Sequence, residues 1–122
     1  MGGMTVQASS RSLGRALRVV VVPDSLDMLR GPLTGRRRLP HHLDASARHL
    51  YDFADVQWRE LAYRTVLMEA GSQADLTEWL DKTALLALWP QLYLPPFVRR
   101  AWEDRHPELA HAGARPDVAP VQ

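Results

Sequence analysis

The sequence contains five histidines. These side chains could do chemistry, because imidazole is a common metal ligand and titrates near neutral pH. They are His41, His42, His49, His106 and His111. No two of them have the spacing that places a pair of ligands on one helix face. The adjacent His41 and His42 would point to opposite sides of an extended segment. The pattern therefore predicts hydrogen-bonded or solvated histidines, with no bound metal and no cofactor.

The carboxylates that could serve in acid–base or nucleophilic catalysis are Asp52, Asp55, Glu60 and Glu69. Asp52 and Asp55 flank a predicted helix start, where negative charge is favourable, and Glu60 precedes Arg64 by one helical turn. Residues 31–35 contain glycines but lack the lysine of a phosphate-binding loop. The chain has no cysteine, which excludes disulfides, thiol catalysis and cysteine-ligated metals. We therefore expect a protein that is not an enzyme and that works by binding.

Three consecutive arginines, Arg36, Arg37 and Arg38, form the sharpest charged feature. They lie on a predicted extended arm between two structured parts, which favours contact with phosphates or with an acidic groove on a protein. A solvated charge run is the alternative. The formal net charge of only +1 argues against a protein whose main role is to coat nucleic acid.

Four tryptophans all fall in the helical half of the chain. Aromatic side chains dominate cores and are also enriched at interface hot spots. Either all four are core, or at least one faces a partner, and short helices favour the second interpretation. The candidate partner-binding residues are Arg36, Arg37, Arg38, Leu39, Trp58, Arg99, Arg100 and Trp102.

The elements that would position these residues are predicted from start and stop signals. Residues 1–15 read as a flexible leader, 16–109 as one small domain with an extended basic arm at 31–47, and 110–122 as a disordered tail. A short strand is expected at 18–22, ending at Pro23. Asp55 is the expected N-cap of a helix that ends near Gly71 and is apolar on two sides. The predicted fold is mainly α, a compact bundle of about four short helices after the strand and the arm.

Three short helices are expected in the second half, at 73–80, 82–89 and 96–105. Ser72 and Asp81 are the expected caps of the first two, and Pro95 and Pro96 open the third. A helix-turn-helix variant is one interpretation, with Arg99, Arg100 and Arg105 on its last helix. The apolar middle helix and the nearby Glu103 and Asp104 favour a core bundle instead.

Several short phrases in a fixed order carry a resemblance to a known family. They are residues 31–35, 39–40, 51–55, 63–70, 86–95, 98–103 and 107–109. This order resembles small actinobacterial proteins encoded beside nucleotidyltransferase-like toxins of the AbiEii type. The resemblance implies an antitoxin that neutralises its cognate toxin by direct occlusion, with the arm over the toxin's nucleotide or tRNA groove.

Two further interpretations stay open. A small DNA-binding transcriptional regulator would use Arg36 to Arg38 and the last helix, with a steep dependence of DNA affinity on salt. A self-associating structural subunit of a phage or conjugation assembly is the third. The apolar run near the start is too short for a signal peptide or a membrane span, so we expect a cytoplasmic protein without membrane contact.

Overall fold

The computed structural model describes residues 20–46 and 49–114, and its fold is mainly α, as predicted. The elements are β1 (Arg36–Arg37), β2 (Tyr51–Asp52), α1 (Val56–Glu69), α2 (Gln73–Trp79), α3 (Lys82–Leu88), α4 (Pro96–Arg105) and α5 (Pro107–Ala114). Short 3₁₀ turns occupy Leu26–Met28 and Trp89–Gln91. β1 and β2 form a two-stranded antiparallel sheet. No helix within the described ranges is long and apolar enough to span a membrane.

The strand predicted at 18–22 is wrong for its described part. Val20, Val21 and Val22 are irregular, partly buried and packed against the core. A strand requires a neighbouring strand to pair with its backbone, and the two strands of the sheet pair with each other. The segment is held instead by the Pro23 carbonyl, which lies 2.7 Å from Nε2 of the buried His106. The predicted leader, residues 1–15, lies outside the described residues, as do 16–19.

The predicted tail at 110–122 is also wrong in its first part. Residues 110–114 continue α5, so the folded unit extends past 109 and contains five α-helices where about four were expected. Pro107 opens this helix, where a missing backbone N–H is harmless. Leu109 is fully buried and fixes the helix to the core. Residues 115–122 lie outside the described residues.

The predicted caps are confirmed. The Asp55 carboxylate accepts hydrogen bonds from the Gln57 and Trp58 N–H groups. Ser72 Oγ accepts from the Asp75 N–H, and Asp81 accepts from the Ala84 N–H. These bonds satisfy N–H groups that a helix start leaves without partners. They fix where α1, α2 and α3 begin.

α1 is covered on two sides by its own domain, as its two apolar stripes predict. Tyr63 and Val66 on one side are fully buried. Trp58, Leu61 and Met68 on the other side pack partly against the same core. Val56, at the first helical position, departs from this pattern because it is exposed.

The segment before the basic arm is tied to the end of α2. Arg30 and Gly31 donate backbone hydrogen bonds to the carbonyls of Thr77 and Leu80. A side chain at Gly31 would overlap the backbone of Trp79, so this close approach requires glycine. The contact holds the start of the arm against the helical half.

Candidate interaction surface

The arm is a basic hairpin built on its own domain. In the antiparallel register of the sheet, Arg36 lies opposite Asp52 and Arg37 lies opposite the buried Tyr51. The Phe53 N–H donates to the Gly35 carbonyl at 2.9 Å. Gly35 has φ 91°, a conformation that favours glycine. The basic hairpin, defined as residues 35–38 with 51–53, is therefore a preformed element joined directly to α1.

The arginines of the basic hairpin point outward. Arg36, Arg37 and Arg38 are all exposed. Leu39 and Leu43 beyond them are buried and anchor the segment, whereas Leu33 before them is exposed.

Two of the predicted partner-binding residues lie in the core. Leu39 and Trp102 are buried, and Trp102 packs against Trp89 with ring centroids 6.1 Å apart. Apolar side chains at these positions gain more from the interior than from solvent, so neither can contact a partner without unfolding. Their hydrophobic character was visible in the sequence, but their depth was set by the tertiary packing.

Trp58 keeps part of its surface accessible, unlike the other tryptophans. Its ring makes an edge contact with Tyr51, with centroids 5.7 Å apart, and a tilted contact with His49 at 6.0 Å. Tyr51 belongs to β2, so Trp58 packs α1 against the basic hairpin. Its exposed edge remains a candidate for partner contact.

Arg99 serves the fold. Its guanidinium donates to the carbonyls of Trp89 and Leu92 and lies 4.8 Å from the centroid of the Trp89 ring. Glu103 accepts a hydrogen bond from Trp89 Nε1 at 2.9 Å and lies 3.6 Å from Arg99. A cation here is favourable because it satisfies carbonyls at the end of a helical turn. The neighbouring Arg100 is exposed and stays available.

Three histidines are engaged in structural contacts. His42 lies 2.8 Å from the Asp75 carboxylate, and His49 lies 3.6 Å from Asp44. His106 is bonded to Pro23, as described above. Residues 20–46 and 49–114 contain no group of three or more His, Asp or Glu side chains that could hold a metal ion.

The resolved pKa shifts keep their groups in one protonation state at neutral pH. Burial raises the pKa of Tyr63 to about 12 and also raises that of Tyr51. A hydrogen bond from Ser46 lowers the pKa of Asp44. Burial of Asp75 works to raise the pKa of its carboxyl, but hydrogen bonds from His42 and the Gly71 and Ser72 backbone outweigh it, so that pKa is lowered. A general acid or base at neutral pH needs shifts in the opposite direction.

One concave region is an open cleft of about 690 Å³ between the turn at 42–46, α1 and the 93–95 segment. Tyr93 on its rim is 78% exposed. Ligand pockets usually bury most of the ligand between apolar walls, and this cleft is wide and polar-rimmed. It is therefore an open surface and not an enclosed pocket.

A smaller apolar groove of about 270 Å³ lies beside the basic hairpin. Its lining residues are Leu33, Val56, Arg59, Asp81, Thr83, Ala84, Ala87 and Leu88. Leu33 and Val56 are 46% and 53% exposed. No pattern in the sequence predicted this groove. Val56 next to the Asp55 cap and the alanines of α3 were visible signals, but only the fold brings them together.

Comparisons with protein-family models, curated proteins and solved structures found no match.

Proposed function

We propose that this protein is a non-catalytic binding protein, the antitoxin of a toxin–antitoxin pair, which neutralises a nucleotidyltransferase-like toxin by direct occlusion. The observation that carries the binding role is the basic hairpin, which holds Arg36 and Arg37 exposed on a preformed element. The choice of toxin as the partner is supported by the family resemblance of the ordered phrases between 31 and 109.

The chemistry of the hairpin suits an acidic groove. Nucleotidyl transfer uses metal ions bound by carboxylates, and a guanidinium matches a carboxylate through two parallel hydrogen bonds. Arginines inserted among such carboxylates would compete with the metal ions and block the nucleotide. Because the hairpin is already folded, docking would cost less ordering entropy than docking of a flexible arm.

The direct test is co-expression with the product of the adjacent toxin-like gene. We expect the wild-type chain to restore growth and to purify with the toxin as a complex. Arg36→Glu with Arg37→Glu should abolish the rescue, because reversed charges would repel an acidic groove. Arg64→Glu, a single charge reversal on the exposed side of α1, is the control and should still rescue. A double variant that rescues as well as the wild type would contradict the proposal.

A DNA-binding regulator is the second candidate, favoured by the exposure of arginines on a two-stranded ribbon, which some regulators insert into a DNA groove. The structural role of Arg99 weakens it, because that arginine of the last predicted helix donates hydrogen bonds to the Trp89 and Leu92 carbonyls. Duplex DNA affinity measured against salt concentration separates the two functions. Each phosphate contact contributes a log–log slope of about −0.9, so a slope near zero excludes the regulator.

A further inference from the structure

We propose that the valine segment, residues 20–22, pairs with the same segment of a second copy of this chain, so that the two form an antiparallel ribbon. The inference goes beyond the proposed function and does not rest on it, because it concerns contact between two copies and not contact with a toxin. It starts from a segment whose composition favours a strand but which has no strand beside it.

The backbone of the valine segment has no hydrogen-bond partner within the described part of the chain. Val20, Val21 and Val22 belong to no helix, strand or turn, and none of the backbone hydrogen bonds between described residues involves them. Each is partly exposed, although its side chain packs against the core. Backbone N–H and C=O groups of a folded segment need water or a protein partner. Since valine is enriched in strands, the segment has the composition and the open hydrogen-bonding groups of an edge strand.

The contact of Pro23 fixes which edge of the segment faces outward. The Pro23 carbonyl lies 2.7 Å from Nε2 of the buried His106, so the backbone carbonyl of residue 23 faces the protein. Successive residues of an extended backbone direct their hydrogen-bonding groups to opposite edges, and Pro23 restricts Val22 to extended backbone. The N–H and C=O groups of Val20 and Val22 therefore face the other edge, away from His106.

An antiparallel second copy satisfies this outward edge in one register. Val20 exchanges both of its hydrogen bonds with Val22 of the second copy, and Val22 exchanges both with Val20, because hydrogen-bonded pairs occur at alternate positions of an antiparallel ladder. The two Val21 residues then face each other on the twofold axis as a non-hydrogen-bonded pair. Pro23 also occupies a non-hydrogen-bonded position, where the missing N–H costs no bond.

The residues of this register favour a copy of the same chain over an unrelated strand. Each valine at 20–22 lies opposite another valine, and cross-strand pairs of β-branched side chains are favourable. Asp24 pairs with Arg105, but its side chain is still 66% exposed. It lies opposite residue 18 of the second copy, which is an arginine in the sequence, and opposite charges at facing positions also stabilise a strand pair. Such self-complementarity is what a twofold contact requires.

The resulting dimer should be weak. Only a few residues of each copy take part, which is less surface than the roughly 800 Å² per partner of a standard interface. The core already holds the valines, so pairing orders little additional backbone. We therefore expect a dissociation constant between about 10 µM and 1 mM.

Cysteine cross-linking of the full chain tests the register, because the protein has no cysteine of its own. A non-hydrogen-bonded pair brings the Cα atoms to about 4.5 Å, within the roughly 4.4–6.8 Å that a disulfide spans. Val21→Cys should therefore oxidise rapidly to a linked dimer. Val20→Cys or Val22→Cys alone should oxidise at least about tenfold more slowly, because like positions lie diagonally at about 7–8 Å. An equimolar mixture of these two variants should form the mixed dimer.

Proline variants test the hydrogen bonds of the ribbon. Val20→Pro removes an N–H that bonds to the second copy and should weaken the dimer at least about tenfold. Val21→Pro, the same change at a non-hydrogen-bonded position, is the matched control and should weaken it far less. Sedimentation equilibrium at protein concentrations up to about 1 mM measures both dissociation constants. Urea midpoints show whether each variant keeps the fold.

A charge exchange tests the identity of the facing residues. Arg18→Asp should weaken the dimer about threefold or more, because like charges then face each other across the pair. Adding Asp24→Arg to the same chain should restore the association. Arg15→Asp, the same change three residues earlier, is the control and should leave the dissociation constant near that of the wild type.

Three results would overturn the proposal. The first is a wild-type chain that remains monomeric up to about 1 mM. The second is equal oxidation rates for Val20→Cys, Val21→Cys and Val22→Cys. The third is protection of the Val20 and Val22 N–H groups from hydrogen exchange that does not depend on protein concentration, because another segment of the same chain would then cover this edge.

The two proposals fail separately, because none of these experiments uses the toxin. A monomeric chain that still rescues growth would remove the ribbon and leave the antitoxin standing. A dimer with the predicted cross-links but no growth rescue would support the ribbon and contradict the antitoxin.

Discussion

Arg99 and the Arg36–Arg37 pair carry the same side chain in two regions with opposite surroundings. Arg99, in the aromatic helical half, is bonded to the Trp89 and Leu92 carbonyls, paired with Glu103 and placed over the Trp89 ring. Arg36 and Arg37 stand exposed on a short ribbon. Arg105 on the same helix as Arg99 also forms an ion pair, with Asp24.

The difference teaches that an arginine cluster in the sequence is not by itself a contact surface. At the end of a helical turn, free carbonyls attract the guanidinium and the fold uses it internally. Arg36 and Arg37 on the two-stranded ribbon stay exposed instead. The helical half therefore acts as a platform that supports the basic hairpin, and the arginines of the hairpin face outward.

The largest expected effect comes from removing the aromatic centre of the platform. Trp102→Ala should lower the free energy of unfolding by about 3–5 kcal/mol, because a large buried side chain leaves a cavity. Phe97→Ala, at a 44% exposed position on the same helix, should cost less than about 1 kcal/mol. Urea unfolding followed by circular dichroism measures both. Similar losses for the two variants would mean that the platform is not organised around Trp102.

The second prediction addresses the two arginine regions directly. Arg99→Ala should lower the free energy of unfolding by about 2–3 kcal/mol, because buried carbonyls lose charged hydrogen-bond donors. Arg100→Ala on the same helix and Arg37→Ala on the ribbon should each change it by less than about 0.5 kcal/mol. Urea midpoints of the three variants provide the comparison. An Arg37→Ala loss as large as that of Arg99→Ala would erase the distinction.

A smaller effect is expected at the joint between the two regions. The Asp75 carboxylate accepts a hydrogen bond from the Gly71 N–H at 2.9 Å and lies 2.8 Å from His42 Nε2. Asp75→Ala should cost about 1 kcal/mol at pH 7, after allowance for solvent screening. Glu78→Ala, at an exposed position of α2, is the control and should be nearly neutral.

The pH dependence of this effect has a definite sign. Because the pKa of Asp75 is lowered from 3.8 in the folded chain, its carboxylate stabilises the fold above pH 3.8. That contribution disappears as the pH falls through the folded pKa. The stability difference between the wild type and Asp75→Ala should therefore shrink below pH 3.8. A difference that stays constant down to pH 2 would contradict this assignment.

Local signals in the sequence were sufficient to predict where three helices begin. Asp55, Ser72 and Asp81 cap the helices that they were predicted to cap, because capping depends on the next three residues alone. The predicted strand is wrong at 20–22 and the predicted disordered tail is wrong at 110–114, because both depend on what lies opposite the segment. Val20 to Val22 have the core and not a strand beside them, and Leu109 has a buried site that composition does not reveal.

The candidate surface was predictable only in part. The exposure of Arg36 to Arg38 follows from their charge, and their position on an arm was visible. That Trp102 and Leu39 are buried, and that Arg99 is used internally, depends on contacts between distant segments. The apolar groove likewise joins residues from 33, 56 and 84 that no local pattern connects.

The most direct test of the central claim is calorimetric titration of the proposed toxin partner with three forms of this chain at one salt concentration. They are the wild type, the double variant Arg36→Glu with Arg37→Glu, and the control Arg64→Glu. We predict that the double variant loses at least about 100-fold in affinity while its urea midpoint stays that of the wild type, and that the control binds normally. Equal affinity of the double variant and the wild type, or the absence of any binding by the wild type, would contradict the account.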